Sequence, residues 1–205
     1  MRKMKENIDI VFLLDRSGSM RGTESDTIGG YNSYIKDFKD KTARITTVLF
    51  DDKYEMITKR EFLNSVPELT KKEYFVRGST ALLDAIGDTI KFMDSEKAKK
   101  VIFIITTDGY ENASRKYNKS QIKEMIEGHE EWEFMYIGAD IDSYSEGMSL
   151  GIRQDNIANY EKSEKGISRM FRAMSMASES YCENASIKAN WKEELDSYIE
   201  DNKKI

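Results

Sequence analysis

Hydrophobic positions along this chain switch between two periods, and the switches mark out its elements. Ile8, Ile10, Val11, Phe12, Leu13 and Leu14 form an apolar run broken only by Asp9. A run this short with no polar alternation predicts a strand buried on both faces. Ile28, Tyr31, Ile35 and Phe38 then recur every three to four positions, which predicts a helix over 25–40 with one apolar stripe. Residues 43–50 read as a second strand. Asp51, Asp52 and Lys53 carry turn chemistry, and the half-polar stretch 54–62 behind them predicts a hairpin into an exposed antiparallel edge strand. A long loop around Pro67, the only proline, leads into Arg77-Gly78-Ser79-Thr80.

Leu82, Leu83, Ile86, Ile90 and Met93 mark the next amphipathic helix, and residues 101–105 a buried strand that ends in Thr106-Thr107-Asp108-Gly109. Short helices are expected near 119–128 and 143–150, with strands over 132–137 and near 156–158. Ile167, Met170, Phe171, Met174, Ala177 and Tyr181 share one face of a long helix. Ile187, Trp191, Leu195 and Tyr198 share one face of a last one, which either packs back on the domain or docks a partner chain. Apolar strands separated by amphipathic helices imply an α/β fold with a mainly parallel sheet covered on both faces. The hairpin adds one antiparallel edge strand to a sheet of six. The length of 205 residues suits one domain, here divided as 1–183 with a helical extension over 184–205.

Composition narrows the function classes. With 39% hydrophobic and 34% charged residues the chain reads as an ordinary soluble globular protein. A net charge of -5 argues against nucleic acid and anionic membrane as partners, since their binders usually carry a basic face. No run reaches the roughly eighteen apolar residues of a membrane span. Met1-Arg2-Lys3-Met4-Lys5 looks like the charged start of a signal peptide. The apolar stretch after it is short, contains Asp9 and lacks a small-residue cleavage site, so it reads as a strand. The single Cys182 excludes an internal disulfide, and cytoplasm is the expected compartment.

In open parallel sheets, ligands sit beyond the carboxyl ends of the strands, where strand order reverses. Asp15 follows the first strand and Asp108 the next central one, so both belong on that rim. Asp15, Ser17 and Ser19 stand at alternate positions with Gly18 between the two serines, an arrangement that can turn oxygens onto one point. Oxygen donors suit a hard cation, and the chain has one His and one Cys in all. Each residue also has a plainer reading. Ser17, Ser19 and Thr80 are possible helix caps. Asp84 suits the positive end of its helix. Asp51 and Asp52 read as turn residues, Asp140 and Asp142 as solvated or capping ones, Tyr110 and Glu111 as rim contacts, and His129 as part of a polar connection.

Asp15-x-Ser17-x-Ser19, then Gly78-Ser79-Thr80 opening a helix, then Thr107-Asp108-Gly109 closing a buried strand, resembles the metal-ion-dependent adhesion site (MIDAS) of the von Willebrand factor A (vWA) family. The resemblance spans residues 7–181 and implies a doubly wound, Rossmann-like sheet. It implies that Ser17 and Ser19 ligate the metal through their hydroxyls, that Thr80 supplies a third hydroxyl directly or through water, and that Asp15 and Asp108 act largely through waters. Such a donor set favours Mg2+ or Mn2+ over Ca2+. The implied function is metal-dependent binding of a protein partner through its Asp or Glu, with no enzymatic activity. The implied type is a stand-alone intracellular protein of bacteria or phage, monomeric, working beside an ATPase or a stress-response system. Two alternatives stay open: Mg-dependent phosphoester hydrolysis, and a scaffold or adaptor that does not use the metal. Against the first, the sequence offers no general base, no second metal cluster and no phosphate-binding glycine motif.

Overall fold

The computed structural model describes residues 8–38 and 42–202; the charged N-terminal residues and Asp40 lie outside them. The elements, in chain order, are β1 (Ile8–Asp15), α1 (Glu24–Asp37), β2 (Ala43–Phe50), β3 (Tyr54–Phe62), α2 (Leu82–Ser95), β4 (Lys100–Thr107), α3 (Lys119–Glu127), β5 (Glu133–Gly138), α4 (Ser143–Ser149), β6 (Ile157–Asn159), α5 (Glu164–Asn184) and α6 (Glu193–Asn202). The strands form one sheet in the order β3-β2-β1-β4-β5-β6. All neighbours run parallel except β2 and β3, the expected hairpin at the edge. The order reverses between β1 and β4, so the crevice beyond their carboxyl ends is the topological switch point.

β1 is apolar throughout because its two faces feed two separate cores. Ile10, Phe12 and Leu14 pack with Tyr31, Tyr34 and Phe171 on the α1 and α5 side. Val11 and Leu13 pack with Leu83, Ile86, Ile90 and Phe103 on the α2 and α3 side. Successive side chains of a strand point to opposite faces, so a strand covered on both sides shows no polar alternation. Asp9, buried near the start of the strand, is held by the Arg60 guanidinium at 2.8 and 2.9 Å. Arg60 reaches it from a left-handed backbone position in β3 (φ 47°), beside the irregular pairing of β2 with β3.

The structure moves some expected boundaries. α1 ends at Asp37, and Phe38 is buried just past it. The last amphipathic segment begins as a 3-10 turn over Ala189–Lys192 before α6, because Trp191 must turn into the core that α5 already covers. Trp191 and Leu195 both lie in that core, the Trp191 indole N–H donates to the Asp155 carbonyl at 2.9 Å, and Lys192 Nζ donates to the Ile157 carbonyl at 2.6 Å. Of the two placements open for the last segment, its described part, residues 184–202, takes the packed one.

Candidate metal centre

Five residues on three loops meet at the switch point. Asp15, the last residue of β1, is buried, and both carboxylate oxygens are engaged. Oδ1 accepts from the Ser17 N–H at 2.6 Å, and Oδ2 accepts from the Thr107 hydroxyl at 2.6 Å. Burial pushes its pKa up to about 6 against the hydrogen bonds from Thr107 and Ser17, and the Asp108 charge adds to the rise. A cation beside the two carboxylates offsets both the burial and the repulsion.

The hydroxyls converge. Ser17 Oγ lies 2.9 Å from Ser19 Oγ, and the Ser19 hydroxyl donates to Asp108 Oδ1 in a very short contact. Gly109 marks where Thr80 joins them, because a Cβ placed on this glycine would lie 3.2 Å from both Ser19 Oγ and Thr80 Oγ1. A side chain here would press on both hydroxyls and push them apart by a few tenths of an ångström. Asp108 Oδ2 is a buried oxygen with no hydrogen-bond partner. Lys162 Nζ stands 2.7 Å from it, off the direction a hydrogen bond requires, so charge alone pairs them. Buried carboxylate oxygens usually accept a hydrogen bond, and one held by charge alone calls for an explanation.

The surrounding loops are tied together by residues that point away from the hydroxyls. Arg16, between Asp15 and Ser17, is fully buried. Its Nε meets Asp51 Oδ2 at 2.9 Å, Nη1 donates to the Glu73 carbonyl at 3.1 Å, and Nη2 meets Glu55 at 2.7 Å. Arg77 Nε shares the same Asp51 oxygen at 2.7 Å. Burial alone would raise the Asp51 pKa, but the Arg77 and Lys53 hydrogen bonds and the Arg16 charge hold it below the usual carboxylate range. Gly18 N–H donates to the Gly78 carbonyl at 3.0 Å. Gly78 has φ +69° and carries Asp52 Oδ1 only 2.2 Å from where a Cβ would be, so no other residue fits there without displacement.

Asp15 does accept a backbone N–H at the strand end, but none of the hydroxyl residues caps a helix. Ser17 precedes a 3-10 turn (Gly18–Met20) and Thr23 precedes α1, and neither side chain makes a cap hydrogen bond. Thr80 lies two residues before α2, whose N-cap is Ala81. Its N–H donates to Asn112 Oδ1 at 2.9 Å and its carbonyl accepts from the Asn112 N–H at 3.0 Å, leaving the hydroxyl for the cradle. Other acidic residues turn out to be occupied. Asp84 accepts from the N–H groups of Arg115, Lys116 and Tyr117, and Glu111 from those of Leu83, Ala113 and Ser114. Asp142 caps α4, and His129 bridges the Met125 carbonyl and Asp94. Asp51 is more than the turn residue it looks like, because the charge it carries serves two arginines. Sequence reasoning missed Arg16 and Lys162. Their partners lie 35 and 143 positions away, beyond the reach of any local pattern.

Among the described residues, no group of three or more His, Cys, Asp or Glu side chains is placed to hold a metal ion. Any cation here depends on hydroxyls, and the donor set of Ser17, Ser19, Thr80 and Asp108 fits a hard, oxygen-seeking ion. Among the described residues, no helix is long and apolar enough to cross a membrane.

No protein-family model matches the chain, and no curated protein matches it. Solved structures with a similar fold include proximal thread matrix protein 1 from the mussel byssus, with a zinc-occupied MIDAS motif. It is 17% identical, with a TM-score of 0.56, covering 82% of this chain and 45% of that one. A von Willebrand factor type A protein from Catenulispora acidiphila is 14% identical, with a TM-score of 0.62, covering 85% and 43%. The PilB minor pilin from Streptococcus sanguinis is 13% identical, with a TM-score of 0.63, covering 84% and 61%. The chain thus spans less than two thirds of the length of each. Likeness at these identities concerns the fold: a doubly wound sheet of five parallel strands and one antiparallel edge strand, with helices on both faces, the vWA-like arrangement.

Proposed function

We propose that this vWA-like fold serves as a metal-dependent protein-interaction module. Ser17, Ser19 and Thr80 hold Mg2+ or Mn2+ through their hydroxyls, and Asp15 and Asp108 support it from behind. The bound ion supplies a coordination position that the carboxylate of a partner's Asp or Glu completes. Neutral hydroxyl donors leave the ion most of its charge, which favours an anionic ligand from outside. Asp15 keeps the Ser17 backbone in place, and Thr107 keeps Asp15 in place.

The observation that carries this reading is the convergence of hydroxyls that cap nothing on a buried carboxylate, one oxygen of which makes no hydrogen bond and meets only the charge of Lys162. The zinc-occupied MIDAS of the mussel protein supports it by likeness of fold. Binding rather than catalysis is favoured because the neighbouring carboxylates Asp84 and Glu111 are taken up by backbone N–H groups, so neither serves as a general base. The proposal includes a cytoplasmic, monomeric protein whose partner is acidic, such as an ATPase subunit.

Calorimetry of the metal-stripped protein with Mg2+ and with Mn2+ tests it. Saturable binding is expected, lost in the Ser17→Ala/Ser19→Ala double variant while its circular dichroism and melting temperature stay close to those of the parent. Absence of binding to the parent protein at millimolar metal rejects the proposal.

A further inference from the structure

Lys162 lies between β6 and α5, next to Ser163, the N-cap of α5. Its Nζ stands 2.7 Å from Asp108 Oδ2 and also donates to the Ser19 carbonyl. These two partners belong to the β1–α1 and β4–α3 loops, the same loops that carry most of the donor set. The lysine side chain is 24% exposed while that of Asp108 is fully buried, so the ammonium enters the site from the solvent side. It reaches the oxygen of Asp108 that no hydrogen bond satisfies.

An ammonium and a divalent ion need the same thing from this site. Both seek the negative charge of Asp108, and two cations drawn to one carboxylate in a poorly solvated place repel each other strongly. We infer that Lys162 sets the cation affinity of the site as a built-in competitor, so that the ammonium and the divalent ion are alternative occupants. This inference rests on the proposed metal-binding role. A lysine is suited to the task because it is a compact point charge on a flexible stem, able to withdraw to solvent without moving the backbone. The partner carboxylate then meets a site whose ion has been admitted only by displacing a tethered cation, which weakens metal binding and confines it to conditions of ample metal.

The test compares the native chain with Lys162→Gln, and with Lys162→Met as a second variant of similar length, each checked for folding by circular dichroism. Two readings are taken. The first is the Kd of Mg2+ and Mn2+ by calorimetry. The second is the melting temperature in chelator and in saturating metal. Removing the competitor should tighten the metal Kd at least tenfold. It should also lower the melting temperature in chelator, where Asp108 loses its counter-charge, and saturating metal should restore that loss. Equal Kd values for native and variant proteins overturn the inference and leave the proposed function standing. Binding only in the variants supports it while overturning metal use by the native chain. No binding in any of them overturns both.

Discussion

Asp15 and Asp51 are neighbours across the β1–β2 rim, and their environments push their carboxyl groups in opposite directions. Asp15 sits among hydroxyls and a second carboxylate, and burial raises its pKa to about 6. Asp51 sits between two guanidiniums that overcome its burial and hold its pKa low. The folded protein holds the Asp15 proton to higher pH than the unfolded chain does, so this group's contribution is fully present below the ordinary carboxylate range and is lost as pH rises through about 6. The Asp51 contribution behaves in the opposite sense and fades as pH falls. Comparing Asp15→Asn with the native chain cancels the Asp51 part, because both proteins share it. In urea titrations of metal-stripped protein between pH 4 and 7, the native chain should lose about 2 kcal/mol relative to the variant, at roughly 1.4 kcal/mol per pH unit of displacement. A difference that stays flat across that range rejects the buried, protonated Asp15. Asp15, Ser17 and Ser19 stood out because oxygens at alternate positions are a local pattern, whereas Thr80 and Asp108 were brought in by the resemblance to the adhesion-site motif. The charges that support the cradle were not legible, because Arg16 finds Asp51, and Lys162 finds Ser19, only through the folded topology.

Elements with a strong apolar period were readable nearly to the residue. β2 and β3 occupy the expected spans 43–50 and 54–62, since the turn residues between them fix the hairpin. Ends without a chemical signal were harder. α5 stops at Asn184 because Ala185 adopts a left-handed conformation (φ 54°), a place where sequences commonly put glycine and this one does not. Its strain is relieved by removing the Cβ, so Ala185→Gly should stabilise the protein by about 1 kcal/mol, read as a higher urea midpoint with an unchanged slope. A lower midpoint would mean that the methyl group packs usefully in the turn. The final segment shows a different limit. Its three- to four-residue spacing announced an apolar face, but where that face would dock is a tertiary matter. Trp191 and Leu195 settle on the α5 side of the sheet, where Lys192 also reaches the short edge strand β6.

At the scale of the whole molecule, the two tryptophans report on opposite halves. Trp132 packs in the core on the α2 and α3 side, and Trp191 in the core under α5. β1 contributes alternate side chains to both cores, so neither half has a complete interior without the other. Thermal unfolding followed by fluorescence in Trp132→Phe and in Trp191→Phe should, after correction for each variant's calorimetric midpoint, give a transition that coincides with its calorimetric one. An early fluorescence transition in Trp132→Phe alone, the variant that keeps only Trp191, would mean that residues 184–205 unfold as a separate unit. The central place of β1 also has a kinetic side. With β2 and β4 hydrogen-bonded along its two edges and a packed core on each face, its amides meet deuterated solvent only when the whole sheet opens. The first carboxylate of the cradle therefore hangs from a segment expected, with β4, to exchange among the slowest of the chain. Its position is set on the timescale of global unfolding, whatever the faster motions of the loops around it.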